Sequence, residues 1–249
     1  MKKSFFSIFL IIASLFIACN QTNRNYDNKL LDHEIPDDSI INIFIKPYTQ
    51  QLIESDLNTN LAYSPVKYTK KDGELNSTLS NLFADATFEV CNPIYNEISN
   101  ENIDIVLLNM GGIRSIISEG EISKKTAFEL MPFENQIILL KLKGDVIKEM
   151  VEYLILERKS HPIYGLQINL DNKYNLKDFN VNGDKLNPNK YYNVVTTDYL
   201  LKGGDNMNFF AKNLKTFDLK IKMRDVLINY FQNIDTLILK TDNRFIKNE

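Results

Sequence analysis

From Ser77 onward, Leu79, Leu82, Phe83, Ala86 and Val90 recur at three- and four-residue spacing, the stripe of a helix buried along one side. Pro93 falls near its expected end. The same spacing predicts a short helix over Lys124–Leu130. A longer one follows Gly144-Asp145, with Val146, Met150, Val151 and Leu154 on one face and Asp145 as N-cap, and a last one carries Val226, Leu227, Tyr230 and Phe231. Asp38 is placed to cap a helix through IINIFIKPYTQQLIESDL, which Pro47 kinks or restarts. Short apolar runs read as strands: Ile105–Leu108, QIILLKL, LQINLD, YNVVTT and the closing TLILK, with NLAYSPVKY as an extended piece. FNVNGDKL has the Asn182-Gly183 signal of a hairpin turn. Helices and strands mix without strict alternation. The expected fold is α+β, a single compact domain with mixed β-sheets and packed helices.

The first residues follow another logic. Lys2 and Lys3 precede an apolar and small-residue run from Phe5 to Ala18, the pattern of a secretory signal and shorter than a membrane span. The run stops at Ala18-Cys19, and a polar string follows. This looks like a bacterial lipoprotein processing site with Cys19 as the lipidated residue, the alternative being an ordinary leader with an incidental cysteine. The expected organisation is a lipoprotein signal over 1–18, a polar tether over 19–35 and a folded domain over 36–249. The expected location is exported and lipid-anchored to a bacterial membrane. The residue after Cys19 is not aspartate, which favours the outer over the inner membrane. Removing residues 1–18 leaves 27 of the 29 basic residues against 32 acidic ones, a balance of −5 without the basic footprint of a nucleic-acid binder. With Cys19 acylated, Cys91 has no disulfide partner and reads as a small core residue.

Chemistry is bounded by scarcity. There are two histidines, His33 in the tether and His161 in KSHPIYG, and no HxxxH, HxH or DxH spacing for a hydrolytic metal centre. His161 reads as a surface loop residue. Three stretches stand out instead. In NMGGIR, Gly111 and Gly112 either bend the chain or clear room for a ligand against the backbone, while Arg114 offers a fork for phosphate or carboxylate. In LMPFENQ, Pro132 sets a turn and Phe133 falls at a loop edge. In TTDYLLKGGDN, Tyr199 precedes a Gly203-Gly204 turn, and Asp205 is a candidate acceptor for a pair of hydroxyls. Phe133 and Tyr199 could enclose a flat base.

Taken in order, NMGGIRSIISEGEIS, ELMPFENQIILLKLKGDVIKEMVE and YYNVVTTDYLLKGGDN closely resemble the C-terminal domain of the 5'-nucleotidase family, which includes UDP-sugar hydrolases. LSNLFADA, from Leu79 to Ala86, looks like that family's LGNLIADA helix. YGLQINLD and VNGDKLNPNKYYNVV match the strands before its last motif. The resemblance runs from about Leu75 to the C-terminus. It implies a nucleotide-binding set of Asn109, Gly112, Arg114, Phe133, Tyr199 and Asp205. Asn109 and Arg114 would meet the phosphate side or the polar edge near the base, Phe133 and Tyr199 would stack on the base, and Asp205 would hold the ribose hydroxyls. In the family, the catalytic chemistry belongs to an N-terminal metallophosphatase domain with two divalent metals.

The pattern departs from the family in four places. Tyr199 stands where phenylalanine is usual, GGDNM where GGDGY is common, and Ser80 where the helix motif has glycine. Lys70 or Lys71 stand near a family arginine that is absent. No catalytic residue, metal ligand or cofactor is expected on this chain. A separate metallophosphatase chain carrying the two metals, such as zinc or manganese, is the expected partner, beside a nucleotide or nucleoside ligand and a membrane reached through the lipid. Three functions stay open: the substrate-recognition half of a split 5'-nucleotidase, a non-catalytic nucleoside- or nucleotide-binding lipoprotein, and an interaction module on the same fold.

Overall fold

The structure is a computed structural model that describes residues 38–54 and 56–248. The signal over 1–18, Cys19, His33 and the tether lie outside the described residues. Contacts divide the chain between Tyr48 and Thr49, so the first helix is described by itself. That helix, α1, spans Ser39–Glu54 with Pro47 inside it, and the Asp38 carboxylate accepts from the Ile40 and Ile41 backbone N–H groups at 2.8 and 3.2 Å. Among the described residues no helix is long and apolar enough to cross a membrane.

The body contains β1 (Asn60–Ser64), α2 (Thr78–Ser99), β2 (Ile105–Leu107), β3 (Gly120–Ser123), α3 (Lys124–Leu130) and β4 (Gln136–Lys143). There follow α4 (Gly144–Glu157), β5 (Ile163–Tyr164), β6 (Leu166–Leu170), β7 (Leu176–Val181), β8 (Asp184–Lys185), β9 (Tyr191–Thr197), α5 (Asp198–Leu201), β10 (Lys215–Lys222), α6 (Met223–Gln232) and β11 (Phe245–Lys247). A central mixed sheet has the order β10-β4-β9-β2-β5, a second sheet the order β11-β6-β7-β8, and β1 pairs with β3. In the central sheet only β2 and β9 run parallel; the other pairings are antiparallel.

Strand alternation divides the interior into two cores. Val106, Ile137, Leu139 and Val195 point to one face and pack with Leu79, Leu82 and Phe83 of α2 and Val226, Leu227 and Phe231 of α6. Ile105, Leu107, Ile138, Leu140, Leu142 and Val194 point to the other, against Val146, Ile147, Met150, Val151 and Leu154 of α4 and Ile168 and Leu170 of the second sheet. A sheet covered on both faces needs continuous apolar strands, which is why QIILLKL and VVTT lack a polar alternation. Each fully buried leucine or isoleucine contributes roughly 1.5–3 kcal/mol.

Several boundaries differ from expectation. The helix begun at Ser77, whose side chain caps the Ser80 N–H, continues past Pro93 to Ser99 and stops at left-handed Asn100. Ser80, the glycine replacement, donates its hydroxyl to the Ser160 carbonyl at 2.5 Å. Lys143, not Asp145, is the N-cap of α4; Asp145 lies in its first turn. Asn182 and Gly183 take the positive φ values, 51° and 86°, that the hairpin signal predicts. TLILK is not a strand. Leu237 N–H donates to the Tyr63 carbonyl, and the Tyr68 hydroxyl donates to the Leu237 carbonyl and accepts from Leu239 N–H, so a side chain replaces a strand partner. The closing strand is β11, parallel to β6. It is tied down by Arg244, which pairs with Asp85 and Asp242 and donates to the Ile163 carbonyl.

Candidate functional site

Sheet topology brings the singled-out loops together. Because β2 and β9 are parallel, NMGGIR after β2 and DYLLKGGDN after β9 leave the same edge, and Ile105 pairs with Val194. β4 is antiparallel to β9 with Ile137 opposite Thr197, so Phe133, just before β4, sits at that edge too. β5 is antiparallel to β2, which brings Ser160 and His161 there as well. Ligand clefts in sheets of this kind form outside the carboxyl ends of parallel strands. Here a cleft of about 840 Å³ is lined by Asn109, Gly112, Arg114, Phe133, Tyr199 and Asp205, together with Met131, Glu134, Asn135, Asp198, Lys202 and the remaining loop glycines. That volume accommodates a nucleotide-sized ligand. All six residues expected to bind ligand line it.

Asp205 is the most constrained of them. Its backbone is left-handed, φ 50° and ψ 29°. Its carbonyl accepts from the Tyr153 hydroxyl at 2.8 Å, and its carboxylate accepts from Asn109 Nδ2 at 2.7 Å and from the Tyr199 hydroxyl at 3.0 Å. The Asp205 hydrogen bond raises the Tyr199 phenol pKa above its ordinary value. Gly204 is required by the Tyr199 ring: a Cβ there would lie 2.4–2.7 Å from three ring carbons. Gly111 and Gly112 play a related part for Asn109, whose amide would stand 3.3 and 3.2 Å from their Cβ positions. The space they clear is therefore taken by Asn109 as it turns toward Asp205.

Phe133 and Tyr199 are 42% and 44% exposed, unlike the core aromatics. The Arg114 guanidinium lies 5.7 Å from the Phe133 ring centre, and its closest polar contact is a 3.4 Å bond to the Gly111 carbonyl. The Arg114 backbone N–H donates to the Leu130 carbonyl at 2.9 Å, tying the glycine loop to the segment that carries Phe133. Lys70 is not among the residues lining the cleft, whose cations are Arg114 and Lys202. Its ammonium donates to the Met110 and Ile113 carbonyls at 3.3 and 2.5 Å, and burial, then the Arg114 charge, lowers its pKa.

His161 is not a surface residue. It is 4% exposed, its Nδ1 accepts from the Met110 N–H at 3.3 Å, and its ring lies 5.8 Å from that of Tyr153. Burial pushes its pKa down to about 4. His161 and Tyr153 thus brace the two walls from behind, one holding the glycine loop and the other Asp205. Sequence periodicity passes over Tyr153, which faces sideways on α4. Asn135, also in the cleft lining, is not singled out by the sequence reading, although LMPFENQ puts its amide two residues after Phe133.

The cleft carboxylates are engaged by the protein. Glu134 is bonded by Lys222 and Arg224, which hold its pKa down to about 2, and Asp198 accepts from Gln136 N–H and pairs with Lys202. Among the described residues no group of three His, Cys, Asp or Glu side chains is placed to hold a metal ion. The donors present do not fit a two-metal centre, and no step of a hydrolysis is assigned to them.

Comparison with known proteins identifies the family and the fold. Residues 59–212 match the family model described as the 5'-nucleotidase C-terminal domain, more than half of the chain. The chain belongs to the 5'-nucleotidase C-terminal domain family. Protein UshA of Escherichia coli is 27% identical over 115 residues, 44% of this chain and 20% of that protein; an apyrase of Tabanus yao is 22% identical over 239 residues, 86% and 42% respectively. A 5'-nucleotidase precursor from Thermus thermophilus superposes with a TM-score of 0.71 at 19% identity, covering 85% of this chain and 44% of that one. The Haemophilus influenzae NAD nucleotidase gives 0.61 at 16%, covering 85% and 42%. The chain therefore spans less than half the length of these relatives, and the structural likenesses establish the fold.

Proposed function

We propose that this chain is the nucleotide-recognition half of a 5'-nucleotidase-type phosphoester hydrolase in nucleotide catabolism, its two-metal catalytic domain residing on a separate chain. The observation that carries the reading is the cleft itself: two exposed aromatics, a fixed carboxylate and a guanidinium converge on it from three loops. Asp205 receives the sugar hydroxyls, Phe133 and Tyr199 flank the base, and Arg114 with Asn109 meets the phosphate side or the polar edge near the base. Hydrolysis by two metals needs a positioned ester, and positioning is what this cleft supplies. Lipid on Cys19 holds the domain at the bacterial membrane, the outer rather than the inner, where such a partner would also be exported.

The position of Lys70 favours a second reading, a nucleoside- or nucleotide-binding lipoprotein without a catalytic partner. With that amine turned into the loop carbonyls, the cleft grips a phosphate less well than a nucleoside. One experiment separates the two. AMP and UDP-glucose hydrolysis is measured with this chain, with an exported metallophosphatase lacking its own C-terminal domain, and with both, in manganese or zinc. Turnover only with both supports the split enzyme, and strong metal-dependent turnover by this chain alone sinks it. Binding is measured in parallel by calorimetry. Phe133→Ala or Asp205→Ala is expected to weaken adenosine about tenfold or more; unchanged affinity with an intact fold counts against the residue assignment.

A further inference from the structure

Both oxygens of the Asp205 carboxylate already carry a donor from the protein, Asn109 Nδ2 on one and the Tyr199 hydroxyl on the other. Asn109 reaches it from the loop after β2 and Tyr199 from α5 after β9, so two separate donors meet one carboxylate, as two adjacent hydroxyls would. The Asp205 backbone is held by the Tyr153 hydroxyl and one carboxylate oxygen by Asn109, so the carboxylate does not follow Tyr199 when it departs. The Tyr199 ring rests on Gly204 and is 44% exposed, so it can shift without opening a core.

We propose that the Tyr199 hydroxyl is a specificity-determining latch that occupies the place of one ligand hydroxyl on Asp205 and yields to ligands bringing a vicinal diol. This rests on the reading of the cleft as a nucleoside site. A carboxylate oxygen has two lone pairs, so one ligand hydroxyl shares its oxygen with Asn109. The other oxygen has a spare lone pair too, but the exposed Tyr199 side chain lines the cleft beside it, so the second hydroxyl comes in at the position of the Tyr199 hydroxyl and must outcompete that internal bond. A ligand without the diol leaves the latch closed and forgoes the carboxylate. The ring keeps its apolar surface for the base in either case. The hydroxyl thus sets both the threshold and the selectivity of the site.

The test is calorimetric titration of the folded protein and of Tyr199→Phe with adenosine and with 2',3'-dideoxyadenosine. Removing a competing hydrogen bond tightens adenosine about threefold to tenfold, while dideoxyadenosine stays within about twofold. A hydroxyl that merely orients Asp205 for the ligand gives the opposite sign, weaker adenosine binding by Tyr199→Phe. That result, an unchanged affinity, or an equal gain for dideoxyadenosine overturns the latch while leaving the nucleoside site standing. If neither protein binds adenosine, the nucleoside reading fails and the latch with it.

Discussion

Acidifying the protein from pH 7 to pH 4 is expected to expose the energetic role of His161. In the folded chain this imidazole is buried, uses Nδ1 as an acceptor for the Met110 N–H, and has its pKa pushed down to about 4 by desolvation. In the unfolded chain it titrates near 6.5. The unfolded state therefore binds more protons between these values, and stability falls as pH falls through that window. The stabilisation is fully present above pH 6.5. A difference of roughly 2.5 units at 1.36 kcal/mol each amounts to about 3 kcal/mol lost by pH 4. Urea unfolding of the wild type and His161→Asn, at steps between pH 7 and pH 4, measures it. Asparagine retains an acceptor for Met110 but does not titrate, so the difference between the two proteins should shrink by about 3 kcal/mol across the window. The strongly depressed carboxylates Glu101 and Glu134, both held down to about 2, lose their contribution mainly below it, and His33 is common to both proteins. Parallel stability profiles for the two proteins from pH 6.5 to 4 would refute the reasoning.

Two further perturbations probe the packing. Gly144→Ala ought to help by helix propensity, but its Cβ would fall 2.2 Å from the Asn187 carbonyl oxygen and 2.7 Å from Pro188 Cα. The expectation is a loss of roughly 1–3 kcal/mol in urea unfolding, and a neutral or stabilising result would show that the loop yields. Cys91 is fully buried, and burial raises its thiol pKa to about 12. In a Cys19→Ser variant it should resist an aromatic disulfide reagent in the folded state and react at once in denaturant; prompt labelling of folded protein would contradict the packing of α2.

The hydrophobic pattern revealed the central elements because they are covered on both faces, and burial leaves an unbroken apolar run in β4 and β9. It misplaced the C-terminus because TLILK makes an isolated bridge to Tyr63 and then bonds Leu237 and Leu239 through the Tyr68 hydroxyl, 169 residues from Leu237 in sequence, which no local pattern encodes. The stretch after Ser77 was read as ending near Pro93, yet the helix runs on to Ser99. At the site, the six residues named from the family motifs all line the one cleft, among others that the motifs did not single out. The partnership of Asn109 with Asp205 was not legible, since it depends on two loops meeting across parallel strands. His161 was misread for the same reason: KSHPIYG has loop composition, but antiparallel pairing of β5 with β2 carries it under the glycine loop.

The bracing of Asp205 bears on how such a site recognises a sugar. A left-handed aspartate on an exposed turn would sample many orientations, and a ligand would have to order it at the expense of affinity. Here Tyr153 fixes its backbone from α4, while Asn109 fixes one carboxylate oxygen from the glycine loop. His161, through Met110, holds the loop that carries Asn109. The backbone and one carboxylate oxygen are therefore ordered before ligand arrives, by a tyrosine packed against the core of α4 and by a loop resting on the buried His161. Substitutions at Tyr153 or His161 should weaken adenosine in calorimetry through the geometry of Asp205 without touching it, whereas wild-type affinity should hold from pH 6.5 down to about 5, where folded His161 stays neutral and keeps its Met110 bond.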